Sequence, residues 1–210
     1  MSLFTVGKWI IAKVYDMEMN FNEIIRHLDG CGYPALPNRV YIRVPHAEEL
    51  LRRGLEYFTD GNYVWDEKNY RPIVDWLKDN KGRGILLAGE CGLGKTLIGM
   101  RILPLIINAR CNRIVNCYKA HELNQKPDEV MRNHIIYIDD VGTETTSNIY
   151  GNRRMPFSEL VDMAENKGKL LMASTNLDVT HIEEKYGIRT IDRLRGIVKY
   201  VPFTGKSYRK

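Results

Sequence analysis

The sequence predicts an α/β fold in which helices flank a parallel sheet built around a phosphate-binding loop. Three stretches predict it. Gly84 to Thr96 reads as a short buried strand, Ile85 to Ala88, followed by Gly89-Glu90-Cys91-Gly92-Leu93-Gly94-Lys95-Thr96, which fits G-x-x-x-x-G-K-[ST] at every fixed position. His134 to Asp140 places the apolar residues Ile135 to Ile138 ahead of two carboxylates, the pattern of a parallel strand that delivers acids at its carboxyl end. Lys169 to Thr175 is a third strand, ending in Asn176.

The loop carries the clearest chemistry. Glycines at 89, 92 and 94 permit backbone angles that a Cβ forbids, so successive N–H groups can turn inward around a polyphosphate. The helix expected from Lys95 adds its N-terminal dipole. Lys95 is placed to bridge β- and γ-phosphates and the Thr96 hydroxyl to ligate Mg²⁺, while Leu93 points away. A Gly-rich turn without ligand lacks the strand before and the apolar helix after that are found here.

Composition sets the outer bounds. With 210 residues, 44% hydrophobic and 27% charged, the chain is long enough to bury a core, and its formal charge of +5 permits an acidic partner without requiring one. Cys31, Cys91, Cys111 and Cys117 form no C-x-x-C pair, which points to reduced thiols in a cytoplasm rather than to zinc or disulfides. The run from Leu3 to Val14 is interrupted by Lys8 and Lys13 and is too short to span a bilayer, so neither export nor membrane anchoring is expected.

Residues 1–62 read as a small α+β extension, either plain packing or a partner-docking segment, and 63–210 as the nucleotide-binding core. Phe4 to Tyr15 suggests a strand, Glu23 to Leu28 a helix capped by Asn20 or Asn22, Val40 to Val44 a strand, and Ala47 to Tyr57 an amphipathic helix. Asp60-Gly61-Asn62 marks a turn. The aromatic patch Tyr63-Val64-Trp65 either stacks on a purine or packs in the core. A helix from Tyr70 to Lys78 follows, with Pro72 in its first turn.

Beyond the loop, Leu97 to Leu103 continues an apolar helix that Pro104 should end or kink. Arg113 to Cys117 reads as a strand and Glu122 to Met131 as a turn or short helix, a short interval for a full sheet-flanking helix. In the next strand, Asp139 is placed to hold Mg²⁺ and Asp140 to polarise an attacking water. Thr145 to Arg154 is a polar loop whose Arg153-Arg154 either meets phosphates or stays solvated. A helix from Pro156 to Asn166 leads to the strand ending at Asn176, which either positions water near a γ-phosphate or starts a turn with Asp178. Tyr186 to Gly196, if helical, puts Arg189 and Arg193 on one face, for phosphoryl charge or for salt bridges. Ile197 to Val201 is a final strand, and the basic tail 204–210 is open to nucleic acid.

The phosphate loop, Ile138-Asp139-Asp140-Val141-Gly142-Thr143-Glu144, Ser174-Thr175-Asn176-Leu177 and Tyr186-Gly187-Ile188-Arg189 through Asp192-Arg193-Leu194-Arg195 together resemble the AAA+ ATPases of the DnaC helicase-loader and IstB group. The likeness runs from about Tyr63 to the C-terminus. It implies an AAA+-type sheet without a separate lid domain, ATP and Mg²⁺ as ligands, Asn176 as sensor 1, and Arg193 as an arginine finger acting on a neighbour's ATP, with Arg189 as the alternate. It also implies self-association through the ATP site, a DnaB-like replicative helicase as partner, and single-stranded DNA. A transposition helper is the alternative within the group. A small-molecule P-loop kinase would need an acceptor pocket and an arginine-bearing lid, and Asp139-Asp140 with the late arginine cluster and no recognisable lid argue against it; a module using ATP only as a structural switch would show no turnover.

Overall fold

The computed structural model describes residues 21–32, 38–144, 147–149, 152–205 and 207. The chain divides into two compact units, Met1–Pro37 and Asn38–Lys210. In the first, helix α1 spans Phe21–Gly30 and covers the expected Glu23 to Leu28. The strand expected at Phe4 to Tyr15 lies outside the described residues, as does Asn20.

Residues 38–62, grouped with the extension on sequence, fall within the second unit and pack into its core. Val40, Ile42 and Val44 alternate inward as a strand would, yet no strand forms there. Their backbone pairs with the end of a helix instead. Val44 N–H donates to Leu77 O at 2.9 Å, and Ile42 N–H donates to Asn80 Oδ1 at 2.8 Å while Asn80 Nδ2 donates to Val40 O at 3.0 Å. Helix α2 follows at Ala47–Phe58, then α3 at Glu67–Lys78. Asp66 caps α3 by accepting the Lys68 N–H, so the helix starts three residues before Tyr70 and Pro72 lies inside it rather than in its first turn.

Strand β1 (Gly84–Gly89) leads through the phosphate loop into α4 (Lys95–Leu97), a π-helical turn (Ile98–Ile102) and α5 (Leu103–Cys111). The wide turn just ahead of Pro104 carries the helix past the ring, with Leu103 N–H reaching back to Ile98 O. Gly99 lies flush on the Tyr137 ring, where an added Cβ would sit 2.0 Å from Cζ. The remaining elements are β2 (Asn116–Lys119), α6 (Ala120–Gln125), α7 (Pro127–Arg132), β3 (Ile135–Val141), β4 (Ser147–Ile149), β5 (Asn152–Arg154), α8 (Pro156–Lys167), β6 (Leu170–Thr175), α9 (Val179–Tyr186), α10 (Ile188–Ile197) and β7 (Val198–Phe203). Strand β2 thus lies three residues later than expected at its start, two short helices fill the interval before β3, and within the expected polar loop β4 pairs antiparallel with β5.

The main sheet is parallel throughout, in the order β2-β3-β6-β1-β7. Alternate side chains feed two separate cores. Ile85, Leu87, Tyr137 and Met172 face α2, α3 and the π turn, whereas Leu86, Ile136, Ile138 and Leu171 face α8, α9 and α10. Both faces are therefore covered, which is why these strands read as continuous apolar runs rather than as an alternation. Among the described residues no helix is long and apolar enough to cross a membrane.

Candidate nucleotide-binding site

The site lies at the carboxyl ends of β1, β3 and β6, where an open parallel sheet leaves a crevice. Gly89 ends β1 with φ 148° because Phe203 O of β7 stands 2.2 Å from where its Cβ would be. Gly94 then takes φ 86° and caps the helix that begins at Lys95. Between them Leu93 is buried at 2% exposure and anchors the loop in the core. Lys95 is 5% exposed, and its ammonium donates to Gly89 O at 2.8 Å, to Glu90 O at 2.7 Å and to Asn176 Oδ1 at 2.9 Å.

Successive residues of a strand point to opposite faces, so Asp139 and Asp140 should not both reach one crevice. A bulge brings them together. Ile138 pairs with Ala173 and Val141 with Thr175, so β3 spends one residue more than β6 over this interval. Asp140 absorbs it in the left-handed region at φ 57°. Both carboxylates then line one cavity of about 640 Å³ together with Lys95, Thr96 and Asn176, a size within the roughly 300–1,000 Å³ of ligand pockets.

Residues that the sequence did not single out hold the acids in place. Asp139 is 3% exposed; its Oδ1 accepts the Ser174 hydroxyl at 2.6 Å and the Tyr137 hydroxyl at 3.1 Å. Burial, with the Asp139 charge beside it, pushes the Tyr137 phenol well above its usual range, so it stays a donor. The same Ser174 oxygen accepts the Asp140 N–H at 3.0 Å. Asn176 spans the site, its Nδ2 lying 3.4 Å from Asp140 Oδ1. The sequence assigned no role to Ser174, quoted only as part of a motif, or to Tyr137, because both sit inside apolar strands and read as core.

The other wall of the cavity is apolar and aromatic, with Leu55, Tyr63, Tyr70, Leu97 and Met100. Tyr63 thus faces the cavity. Trp65 is packed instead, 5.1 Å from Tyr70 between ring centroids and covered by the Arg52 guanidinium at 3.7 Å, while Val64 is exposed. Thr96 and Asp139 supply two hard oxygens, and among the described residues no group of three or more His, Cys, Asp or Glu could cage a metal. That donor set fits Mg²⁺, which completes its shell with phosphate and water.

The expected arginines are placed differently from one another. Arg193 is 19% exposed and pairs with Asp162 and, at 3.1 Å, with Glu165 of α8, whereas Arg189 is 75% exposed and 3.9 Å from Asp162. Arg154 is tied to Glu159 and Asp128, which removes it from the phosphate-contact role considered for the Arg153-Arg154 pair. All four cysteines are free thiols.

A parallel sheet in this order, with the phosphate loop after β1 and acids at the end of β3, is the AAA+-type P-loop NTPase fold. Among solved structures the chain is similar to the crystal structure of the DnaC helicase loader, with a TM-score of 0.50 and 14% identity over 77% of this chain and 93% of that one. It is likewise similar to the crystal structure of DnaI, with a TM-score of 0.50 and 18% identity over 79% of this chain and 86% of that one. At such identities the likeness is one of fold. No protein-family model matches the sequence, and no curated protein matches it.

Proposed function

We propose that this chain is an ATP- and Mg²⁺-dependent ATPase of the DnaC-like helicase-loader type, acting in the cytoplasm with a DnaB-like replicative helicase on single-stranded DNA. The observation that carries the reading is the bulge of β3, which brings Asp139 and Asp140 into one cavity with Lys95, Thr96 and Asn176. Residues Gly89 to Thr96 wrap the polyphosphate, Lys95 bridges its β- and γ-groups, and the aromatic wall takes the adenine. Thr96 and Asp139 hold Mg²⁺, which when bound neutralises charge developing on the phosphates. Asp140 polarises the attacking water and Asn176 orients it. An arginine from a neighbouring molecule, Arg193 or Arg189, completes the site, so turnover is slow without self-association or a partner. Of the extension read as 1–62, residues 1–37, outside the ATPase unit, are the docking candidate.

The test is the mass distribution of this protein mixed with the replicative helicase of its source, with and without ATP–Mg²⁺, beside Lys95→Ala. A complex that needs ATP and is lost in the variant supports the loader reading. Assembly on DNA with ATP but no helicase complex moves the assignment to a transposition helper. Tight ATP binding by Lys95→Ala counts against the phosphate-loop assignment itself.

A further inference from the structure

We infer that Glu144 and Tyr186 are positioning residues that hold Asp140 in its left-handed conformation, so that water activation depends on a buried strut that does not itself line the cavity. The inference rests on the ATPase reading. A non-glycine residue at positive φ is disfavoured, less so for Asp than for most, and it persists where its surroundings fix it. The turn after Asp140 supplies that fixing. Thr143 donates twice to Asp140 O, from its N–H at 3.2 Å and its hydroxyl at 2.8 Å. The Glu144 side chain folds back, its Oε2 accepting the Gly142 N–H at 2.8 Å and its Oε1 accepting the Tyr186 hydroxyl. Lys185 closes the other side by donating to Gly142 O at 2.5 Å and Glu144 O at 2.7 Å.

The strut is buried and anchored. Glu144 is 8% and Tyr186 7% exposed, and the Tyr186 ring packs on Phe157 with centroids 4.9 Å apart. Burial and the Glu144 carboxylate push the Tyr186 phenol far up, so it remains a donor at any physiological pH. A desolvated carboxylate is costly unless its oxygens are bonded, and here both are. Tyr186 also closes α9, and Thr190 of α10, the helix that carries Arg189 and Arg193, donates to Tyr186 O at 2.9 Å. The acid at the end of β3 and the arginine helix therefore share one support.

The test compares Glu144→Ala, Glu144→Gln and Tyr186→Phe in the full chain, reading ATP affinity with a fluorescent ATP analogue, turnover with Mg²⁺ and the DNA or helicase partner present, and the melting midpoint. Glu144→Ala should bind ATP within about two-fold of the unmodified protein yet turn it over about ten- to hundred-fold more slowly, since loss of position alone reaches that range. Glu144→Gln should recover most of the rate, because its amide still accepts from Gly142 and can donate to the Tyr186 oxygen. A lowered midpoint with unchanged turnover per folded molecule overturns the inference and leaves Glu144 a structural residue. Should Glu144→Ala fail to fold, Tyr186→Phe decides, since its ring packing survives: a rate at least about three-fold down supports the strut, and an unchanged rate overturns it. If the unmodified protein binds no ATP, or binds it without turnover, the ATPase reading falls and this inference with it.

Discussion

Replacing Ser174 by Ala removes one oxygen that two acids share. The residue is fully buried, and its hydroxyl donates to Asp139 Oδ1 at 2.6 Å while accepting the Asp140 N–H at 3.0 Å. The bond to a carboxylate is worth about 1.5–3 kcal/mol and the part-buried N–H left behind costs about 1 kcal/mol. Tyr137 still donates to the same Oδ1, which limits the loss. The expected destabilisation is about 3 kcal/mol, or roughly 6–12 °C in Tm for a unit of this size. Urea unfolding followed by tryptophan fluorescence measures it, first alone and then in an Asp139→Asn background. There the same substitution should cost only about 2 kcal/mol, because the charge that strengthened the bond is gone while a neutral bond and the Asp140 N–H are still lost. Strictly additive losses, or a single-variant loss below about 1 kcal/mol, refute the reasoning.

Three further outcomes are expected. Asn80→Ala should cost about 4 kcal/mol, since this 3% exposed side chain bonds Ile42 N, Gly82 N, Val40 O and Arg83 O; a urea midpoint unchanged from the parent would show that residues 38–44 are not held this way. Cys117 should resist alkylation at pH 8 while the exposed Cys91 reacts and is shielded by ATP–Mg²⁺, because burial and then the Asp139 charge push the Cys117 thiol up to about 11. Its neutral form being favoured by folding, that contribution is whole below the ordinary thiol value of about 8.5 and fades as pH climbs toward about 11; peptide mass spectrometry showing equal labelling of both thiols contradicts the expectation. Arg193→Ala should keep ATP binding and lose hydrolysis, with partial recovery on mixing with Asp140→Ala. Recovery with Arg189→Ala in its place would move the finger to the more exposed arginine, and recovery with neither would leave both to the packing of α10 on α8.

What the sequence could reveal was whatever chemistry or burial forces into a local pattern. The phosphate loop was legible because its glycines, Lys95 and Thr96 must stand at fixed separations to surround a phosphate chain, and β1, β3 and β6 because both faces are covered. Val40 to Val44 misled since alternation reports burial and not the identity of the hydrogen-bonding partner, which here is Asn80 and the end of α3. Pro104 does not end the helix, because a π turn upstream gives its ring room, a device without a sequence mark. The pair Asp139-Asp140 was read as two acids for one site, yet only the bulge against Ala173 and Thr175 makes that geometrically possible. Ser174, Tyr137 and the Glu144–Tyr186 contact were out of reach for a shared reason: each joins residues distant in sequence, and each polar atom sits on a residue otherwise read as core or turn.

The order of strands in the sheet also bears on how the chain is made. Strand β1 is flanked by β6 and β7, so Ile85 waits for Met172 and Gly84 for Val198 before either edge is paired. At roughly 5–20 residues per second of synthesis, that wait is on the order of ten seconds. During it, Ile85-Leu86-Leu87-Ala88 leaves the ribosome as an apolar ribbon with two open edges, a template for pairing with other chains. The nucleotide loop is thus attached to the last part of the sheet to be completed. A chain truncated before β7 would leave that edge bare permanently, with aggregation during expression as the outcome.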